Sequence, residues 1–191
     1  RTNHLAMCTA NMPDPVETVD PNQGGSPQDY VQTKLYTGNG QSSLDIDLDF
    51  SPDWVWIKRR TTSQSHVVAN KLSGDDKFIA SNGNGVEETD NTKFRNFLTN
   101  AFRVGSHAGV NNNNSTYVSW NWKANGSGGS NTNGTINTTA TTVAAHGGFS
   151  ISTYTGTGSN ATVGHGLSSA PSYVIVKERN GTENWVVGFG D

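Results

Sequence analysis

Pro52-Asp53-Trp54-Val55-Trp56-Ile57-Lys58-Arg59-Arg60 returns 119 residues later as Pro171-Ser172-Tyr173-Val174-Ile175-Val176-Lys177-Glu178-Arg179. Trp54 to Lys58 and Tyr173 to Lys177 are apolar on both faces, the pattern of a central strand covered on two sides. A proline just before each run does little harm, because the N–H it lacks lies outside the ladder. At the same offset His66-Val67-Val68 becomes Trp185-Val186-Val187, and at an offset of 118, one residue shorter, Tyr36-Thr37-Gly38-Asn39-Gly40 recurs as Tyr154-Thr155-Gly156-Thr157-Gly158. Three matches in one order mark an internal duplication.

Alternation around these anchors predicts further strands. Val31 to Tyr36 and Phe149 to Tyr154 open the two copies, each stopped by a glycine-containing turn. Ser43 to Phe50 places Leu44, Ile46, Leu48 and Phe50 on one face and Asp45, Asp47 and Asp49 on the other. Tyr117 to Lys123 sets Val118, Trp120 and Trp122 against Tyr117, Ser119 and Asn121. Thr92 to Arg103 carries Phe94, Phe97, Leu98 and Ala101 at helical spacing, but its asparagines disfavour a helix, so strand and short helix both stand. The predicted organisation is an extended leader over 1–30 from a preceding domain, a first β module over 31–123, a Gly/Ser/Asn-rich linker over 124–134 and a second module over 135–191. That second module is expected to be truncated, because it stops at Asp191 without counterparts of the stretch through Trp122.

Composition agrees with this pattern. Asn, Thr, Ser and Gly number 22, 22, 19 and 22 of 191 residues, and only 15% are charged. Such residues favour turns and strand surfaces over helices, and low charge argues against coiled coils and charge-driven disorder. The fold class expected is all-β, built from tandem β-sandwich-like modules. A net charge of −3 with scattered Lys and Arg gives no basic footprint for nucleic acid. No apolar run reaches the ~18 residues that read as a membrane span, and the single Cys8 has no internal disulfide partner.

Each candidate site has a structural alternative. Asp45, Asp47 and Asp49 could offer oxygens to Ca²⁺, but alternate residues of a strand stand ~7 Å apart and converge poorly on one ion. His4, His66, His107, His146 and His165 show no metal-ligand spacing. Glu87, Glu88 and Asp90 form the densest acidic cluster, and paired carboxylates are the tools of glycoside hydrolysis. Their glycine- and asparagine-rich surroundings read as a solvated loop. The tryptophans Trp54, Trp56, Trp120 and Trp122 are assigned to the core rather than to an exposed aromatic row, since the chain is short of aliphatic residues. No catalytic, cofactor-binding or metal-binding residue is assigned. Loops carry recognition on rigid β scaffolds, so the contact surfaces expected are at Gly83 and Asn84, at Asn112 and Asn113, and at Gly181.

The motifs Tyr36-Thr37-Gly38-Asn39-Gly40, Ser51 to Lys58 and Tyr117 to Ala124 together resemble a repeated domain in virion proteins of marine bacteriophages of cyanobacteria and related ocean bacteria. Leu5 to Pro15 is similar to the junction that leaves a preceding lectin-like β-sandwich in such proteins. His66 departs from the pattern, standing at a more commonly tryptophan-like or polar position. The resemblance implies a non-enzymatic structural protein on the outer surface of a phage particle, a tail or head fibre used in host attachment or capsid decoration. It further implies other virion proteins as partners, a host-surface glycan or receptor as target, and a homotrimer. It carries no cofactor, no nucleic acid and no membrane insertion. The alternatives are a tail-spike polysaccharide depolymerase using Glu87, Glu88 or Asp90, and a free carbohydrate-binding module.

Overall fold

The computed structural model describes residues 27–190. Most of the leader expected over 1–30 lies outside these residues. Its end is a 3-10 turn at Pro27–Asp29. The chain then runs through β1 (Val31–Thr37), β2 (Leu44–Asp47), β3 (Trp54–Arg59), β4 (Val67–Asn70), β5 (Lys77–Phe78), β6 (Glu88–Thr89), β7 (Phe94–Phe97) and β8 (Ala101–Val104). A single turn of helix, α1 (Ala108–Asn111), precedes β9 (Thr116–Trp122). The remaining strands are β10 (Ala140–Val143), β11 (Ser150–Thr153), β12 (Tyr173–Val176) and β13 (Val186–Phe189). The fold is all-β and its strand pairs are antiparallel.

A four-stranded sheet in the order β1-β9-β3-β4 and a three-stranded sheet in the order β2-β8-β7 share one core, a sandwich-like arrangement. Val55 and Ile57 of β3, Phe94 of β7, Phe102 and Val104 of β8, and Val110 of α1 are fully buried in it. On β2 the expected face is the buried one, with Ile46 inside and Leu48 and Phe50 continuing it beyond the strand. The Thr92 to Arg103 stretch resolves to the β7–β8 hairpin, with a register shift between Phe94 and Asn96. Burying Phe94 and Phe102 in one core outweighs the helical spacing that the sequence displays.

The tryptophans do not join this core. Along β9 the buried residues are Tyr117, Ser119 and Asn121, while Val118, Trp120 and Trp122 are half-buried on the outer face. Trp54 and Trp56 of β3 share that outer face, with Val31 and Leu35 of β1 exposed beside them. The reason is space and pairing. Ser119 and Asn121 are small enough to lie under the crossing sheet, and the Asn121 side-chain amide donates to the Gln32 carbonyl (2.9 Å) and to Ser119 Oγ (3.0 Å). The amide nitrogen is satisfied in this way, while Asn121 Oδ1 is buried without a hydrogen-bond partner among the described residues.

The segment expected as a loose linker over 124–134 is hydrogen-bonded into its surroundings. Ala124 N donates to the Asp53 carboxylate (2.6 Å), Asn125 N to Thr142 Oγ1 (2.8 Å) and Asn131 N to Thr138 Oγ1 (2.8 Å), while Gly129 bridges Thr141. Thr141 and Thr142 are buried in consequence. Gly, Ser and Asn composition describes a flexible chain only where nothing captures its main chain.

The β12–β13 hairpin repeats β3–β4 residue for residue. Trp54 pairs Asn70, Val55 pairs Ala69, Trp56 pairs Val68 and Ile57 pairs Val67; the second hairpin pairs Tyr173 with Phe189, Val174 with Gly188, Ile175 with Val187 and Val176 with Val186. Every pair is displaced by the sequence offset of 119. The surroundings differ: Val67 is 3% exposed and Val186 62%. Replacing Val67 with Ala is therefore expected to cost about 2 kcal/mol by denaturant unfolding. Val186→Ala at the equivalent position should stay within about 0.5 kcal/mol of the parent chain.

Candidate functional site

The predicted contact loops fall into two groups. Gly83 and Asn84 lie in the exposed turn between β5 and β6, and Gly181 in the β12–β13 connection. These two loops meet. Arg179 donates from Nε and Nη2 to the two carboxylate oxygens of Glu87 at 2.8 and 2.7 Å, and Glu87 N donates to the Arg179 carbonyl at 2.7 Å. Trp185 Nε1 reaches the Gly83 carbonyl at 3.1 Å and that of Ala80 at 3.3 Å. Gly181 accepts from Lys177 Nζ at 3.0 Å, which closes its own loop. The paired acid and base fork of Glu87 and Arg179 thus clamps the second hairpin to the first sandwich, a geometry suited to bidentate bonding.

Asn112 and Asn113 sit elsewhere, exposed at the turn between α1 and β9. This turn is locked to the Tyr36-Thr37-Gly38-Asn39-Gly40 motif. Gly38 N donates to the Ser115 carbonyl, Gly40 N to the Asn111 carbonyl and Asn39 N to Asn111 Oδ1. A side chain at Gly38 would run into the Asn112 carbonyl, and Gly40 adopts a φ of 69°. Both glycines are thereby required by close approach and by left-handed backbone. Tyr117 OH anchors the same turn, accepting from Asn112 N and donating to the Ala108 carbonyl, each at 2.8 Å.

The carboxylate cluster is spoken for. Burial alone would raise the Glu87 carboxyl, but hydrogen bonds from Arg179 and Ser73 and the nearby Arg179 and Lys77 charges hold it below its ordinary value. A general acid in glycoside hydrolysis needs the opposite shift. Asp90 is likewise held low: burial pushes up, but bonds from the Thr92 hydroxyl and main chain and the Lys93 charge prevail. Glu88 faces Lys93 at 3.8 Å. In the aspartate row, Asp45 takes two bonds from Arg103, which lower its pKa, and Asp49 accepts from Gln32. Among the described residues no group of three or more His, Cys, Asp or Glu could hold a metal ion.

The described histidines each use Nδ1 as an acceptor. His66 takes the Trp56 indole N–H at 2.8 Å, His107 the Gly109 amide, His146 the Gly148 amide and His165 the Leu167 amide. Burial and the Lys58 charge lower the His66 pKa, so the ring is neutral and able to accept at neutral pH.

Two features carry surface that could engage a ligand. One is the outer sheet face, where Trp56 and Trp120 meet edge to face at 6.0 Å and Trp122 stacks on Phe149 at 6.2 Å. The other is an open cleft of about 400 Å³ lined by residues including Ser130, Asn131, Thr132, Asn133 and Thr141, with hydroxyls and amides but no ionisable group. Sequence reasoning missed the cleft because it treated 124–134 as a tether; the threonine run that captures this segment was the available signal.

The arrangement is an all-β fold in which Asp45, Glu87, Glu88 and Asp90 are engaged in ion pairs and turn hydrogen bonds. The chain belongs to the family described as Domain of unknown function (DUF7483), whose profile matches residues 26–190. No curated protein matches the chain, and no solved structure does.

Because the folded Glu87 pKa is depressed, its contribution is present above the ordinary glutamate range and is lost as pH falls through the lowered value. Trp185 fluorescence and amide exchange at Glu87 should report opening of the clamp on that acid limb. Glu87→Gln is expected to open the clamp already at neutral pH and to flatten the acid limb.

Proposed function

We propose that this chain is a non-enzymatic structural protein of a bacteriophage virion, part of a tail or head fibre on the outer surface that serves host attachment or capsid decoration. The observation that carries the reading is the repeated hairpin with its motifs: Ser51 to Lys58, Tyr36 to Gly40 and Tyr117 to Lys123 resemble the marine phage domain, and the hairpin's backbone pairing recurs at the same offset. Fibres need rigid repeated units with short bonded connections. The Glu87–Arg179 clamp and the captured 124–134 segment supply both. Other virion proteins are the expected neighbours, and a homotrimer is the expected assembly.

The cleft at Ser130 to Asn133 favours a host-surface glycan as the target, because uncharged hydroxyls and amides match sugar hydroxyls. The same feature would serve a free carbohydrate-binding module. The two readings separate on location and mass. Immunogold labelling with antibody to this chain should decorate the tail or capsid surface of marine phage particles, and the natural protein should sediment as a trimer. Label confined to the culture fluid, with a monomeric mass, would replace the fibre with the free module.

A depolymerase is disfavoured by the lowered Glu87 and Asp90. Incubation with host capsular polysaccharide is expected to release no reducing ends. Release that disappears on replacing Glu87, Glu88 and Asp90 with their amides would establish the enzyme.

A further inference from the structure

The cleft between residues 129–133 and β10 has walls that are bonded to each other. Gly129 N donates to the Thr141 carbonyl at 3.1 Å and Thr141 N to that of Gly129 at 2.7 Å. Thr138 N donates to the Asn131 carbonyl at 3.0 Å, and Asn131 N to Thr138 Oγ1 at 2.8 Å. Ser130 Oγ donates to the Thr138 carbonyl at 2.8 Å, while Thr141 Oγ1 meets Thr138 Oγ1 and Ser152 Oγ, each at 2.9 Å. The walls are thus in place without a ligand, as small-molecule sites usually are.

These bonds decide which groups the cleft offers. Asn133 N donates to Asn131 Oδ1 at 2.9 Å, which fixes the orientation of that amide. Asn131 Nδ2 is left with two hydrogens and no partner among the described residues. The Thr141 hydroxyl is engaged, so Thr141 offers its methyl. Val143 stands two residues further on the same face of β10 and adds a second apolar group.

Gly166 brings these groups together. Its φ of 75° is left-handed, and the place a Cβ would take lies 2.6 Å from Val143 Cγ2, 3.3 Å from Thr141 Cγ2 and 3.6 Å from Asn131 Nδ2. One part of the cleft therefore sets a free amide donor beside two methyl groups, over a glycine that admits no side chain. Thr132 and Asn133 line the same cleft and are exposed, and their side chains make no hydrogen bond among the described residues. None of the lining side chains is ionisable.

We propose that this cleft takes an uncharged sugar bearing an acetamido group, an N-acetylhexosamine within a glycan. The site is the one already read as a glycan cleft, and the assignment rests on that reading. An acetamido group sets a carbonyl acceptor beside a methyl, the complement of the Asn131 Nδ2 donor beside the Val143 and Thr141 methyls. The ring hydroxyls fall to Thr132 and Asn133, whose side chains both donate and accept. At about 400 Å³ the cleft lies near the lower end of the ~300–1,000 Å³ span of ligand sites and suits about one or two sugar rings. A uronic or sialic acid fits less well, because its carboxylate would lose hydration with no cation to meet it.

The test titrates the whole chain with N,N′-diacetylchitobiose and with cellobiose, which share ring and linkage and differ in carrying an acetamido group or a hydroxyl. By NMR, diacetylchitobiose should shift the Asn131 side-chain amide and the main-chain amides of Val143 and Gly166. Cellobiose should bind about tenfold more weakly, since it forgoes one hydrogen bond and one methyl contact. Asn131→Asp keeps the acceptor for Asn133 N and removes the donor, so it should leave melting unchanged and weaken diacetylchitobiose binding about tenfold or more. Cellobiose binding as tightly as diacetylchitobiose, or the Asn131→Asp chain binding as well as the parent, overturns the acetamido assignment and leaves the glycan reading standing. No shift with either disaccharide at about 10 mM, far above the ~1 mM of weak complexes, also overturns it. Host-surface polysaccharide then decides the broader reading: shifts at the same resonances keep a glycan of another kind, and their absence removes the glycan.

Discussion

The first unit depends on β9 reaching a place between two strands that precede it by most of the unit. Val31 and Trp54 both pair with Trp122, so neither β1 nor β3 has its full ladder until the last strand arrives. Such closure collects its loop entropy cost before the contacts that offset it form. The turn before β9 is correspondingly held by many groups. Tyr36 OH bonds the Val110 carbonyl, Arg59 reaches the Ala108 carbonyl and Ser115 Oγ, and Asn111 is buried with its amide bonded to the main chain of Asn39 and Gln41. Tyr36 and Tyr117 stack at 5.0 Å beneath it, and burial followed by the neighbouring Tyr117 pushes the Tyr36 phenol well above its usual range.

The same turn explains why the glycine motif was legible as a repeat but not as a seat. Tyr36 to Gly40 announces a stop after a strand; that Gly38 must admit the main chain of Asn112 is a tertiary fact with no local signal. The strands over Val31–Thr37, Trp54–Arg59 and Thr116–Trp122 were readable because their alternation or continuous apolarity is strong. The β7–β8 hairpin was not, since Phe94 and Phe97 lie three apart and fit helix and bulged strand alike. The expected contact loops were placed on the surface, yet Gly83 and Gly181 meet through Trp185 and the Glu87–Arg179 clamp, a partnership across 92 residues that spacing does not display.

That clamp also bears on how the two units differ. Arg179 has a counterpart in Arg60 within the repeat, but Arg60 follows β3 directly and its amide bonds the Thr116 carbonyl, while Arg179 reaches across to Glu87. After the duplicated strand the two copies thus diverge, one arginine bonding beside its own strand and the other reaching the β5–β6 segment. His66 and Trp185 show the same divergence: His66 accepts the Trp56 indole within its own sheet, and Trp185 donates its indole to Ala80 and Gly83 of the first unit. The hairpin pairing is kept while Trp185 and Arg179 of the second copy are bonded to the β5–β6 segment of the first.

The inverted faces of β9 show what sets register here. Polarity alone would place Val118, Trp120 and Trp122 inward, and the reverse is found, with Tyr117, Ser119 and Asn121 fully or nearly fully enclosed. A slip of one residue would exchange the faces. It would drive indoles into space occupied by a hydroxymethyl group and a bonded amide, where overpacking costs about 1–3 kcal/mol per site, and it would break the Asn121 bonds to Gln32 and Ser119. Size and bonded amides therefore select the register, while the displaced tryptophans find cover on the outer face from each other, from His66 and from Phe149. An aromatic alternation in this sequence consequently reports which face has room for large side chains, and on β9 that is the outer face, where His66 and Phe149 pack against the indoles.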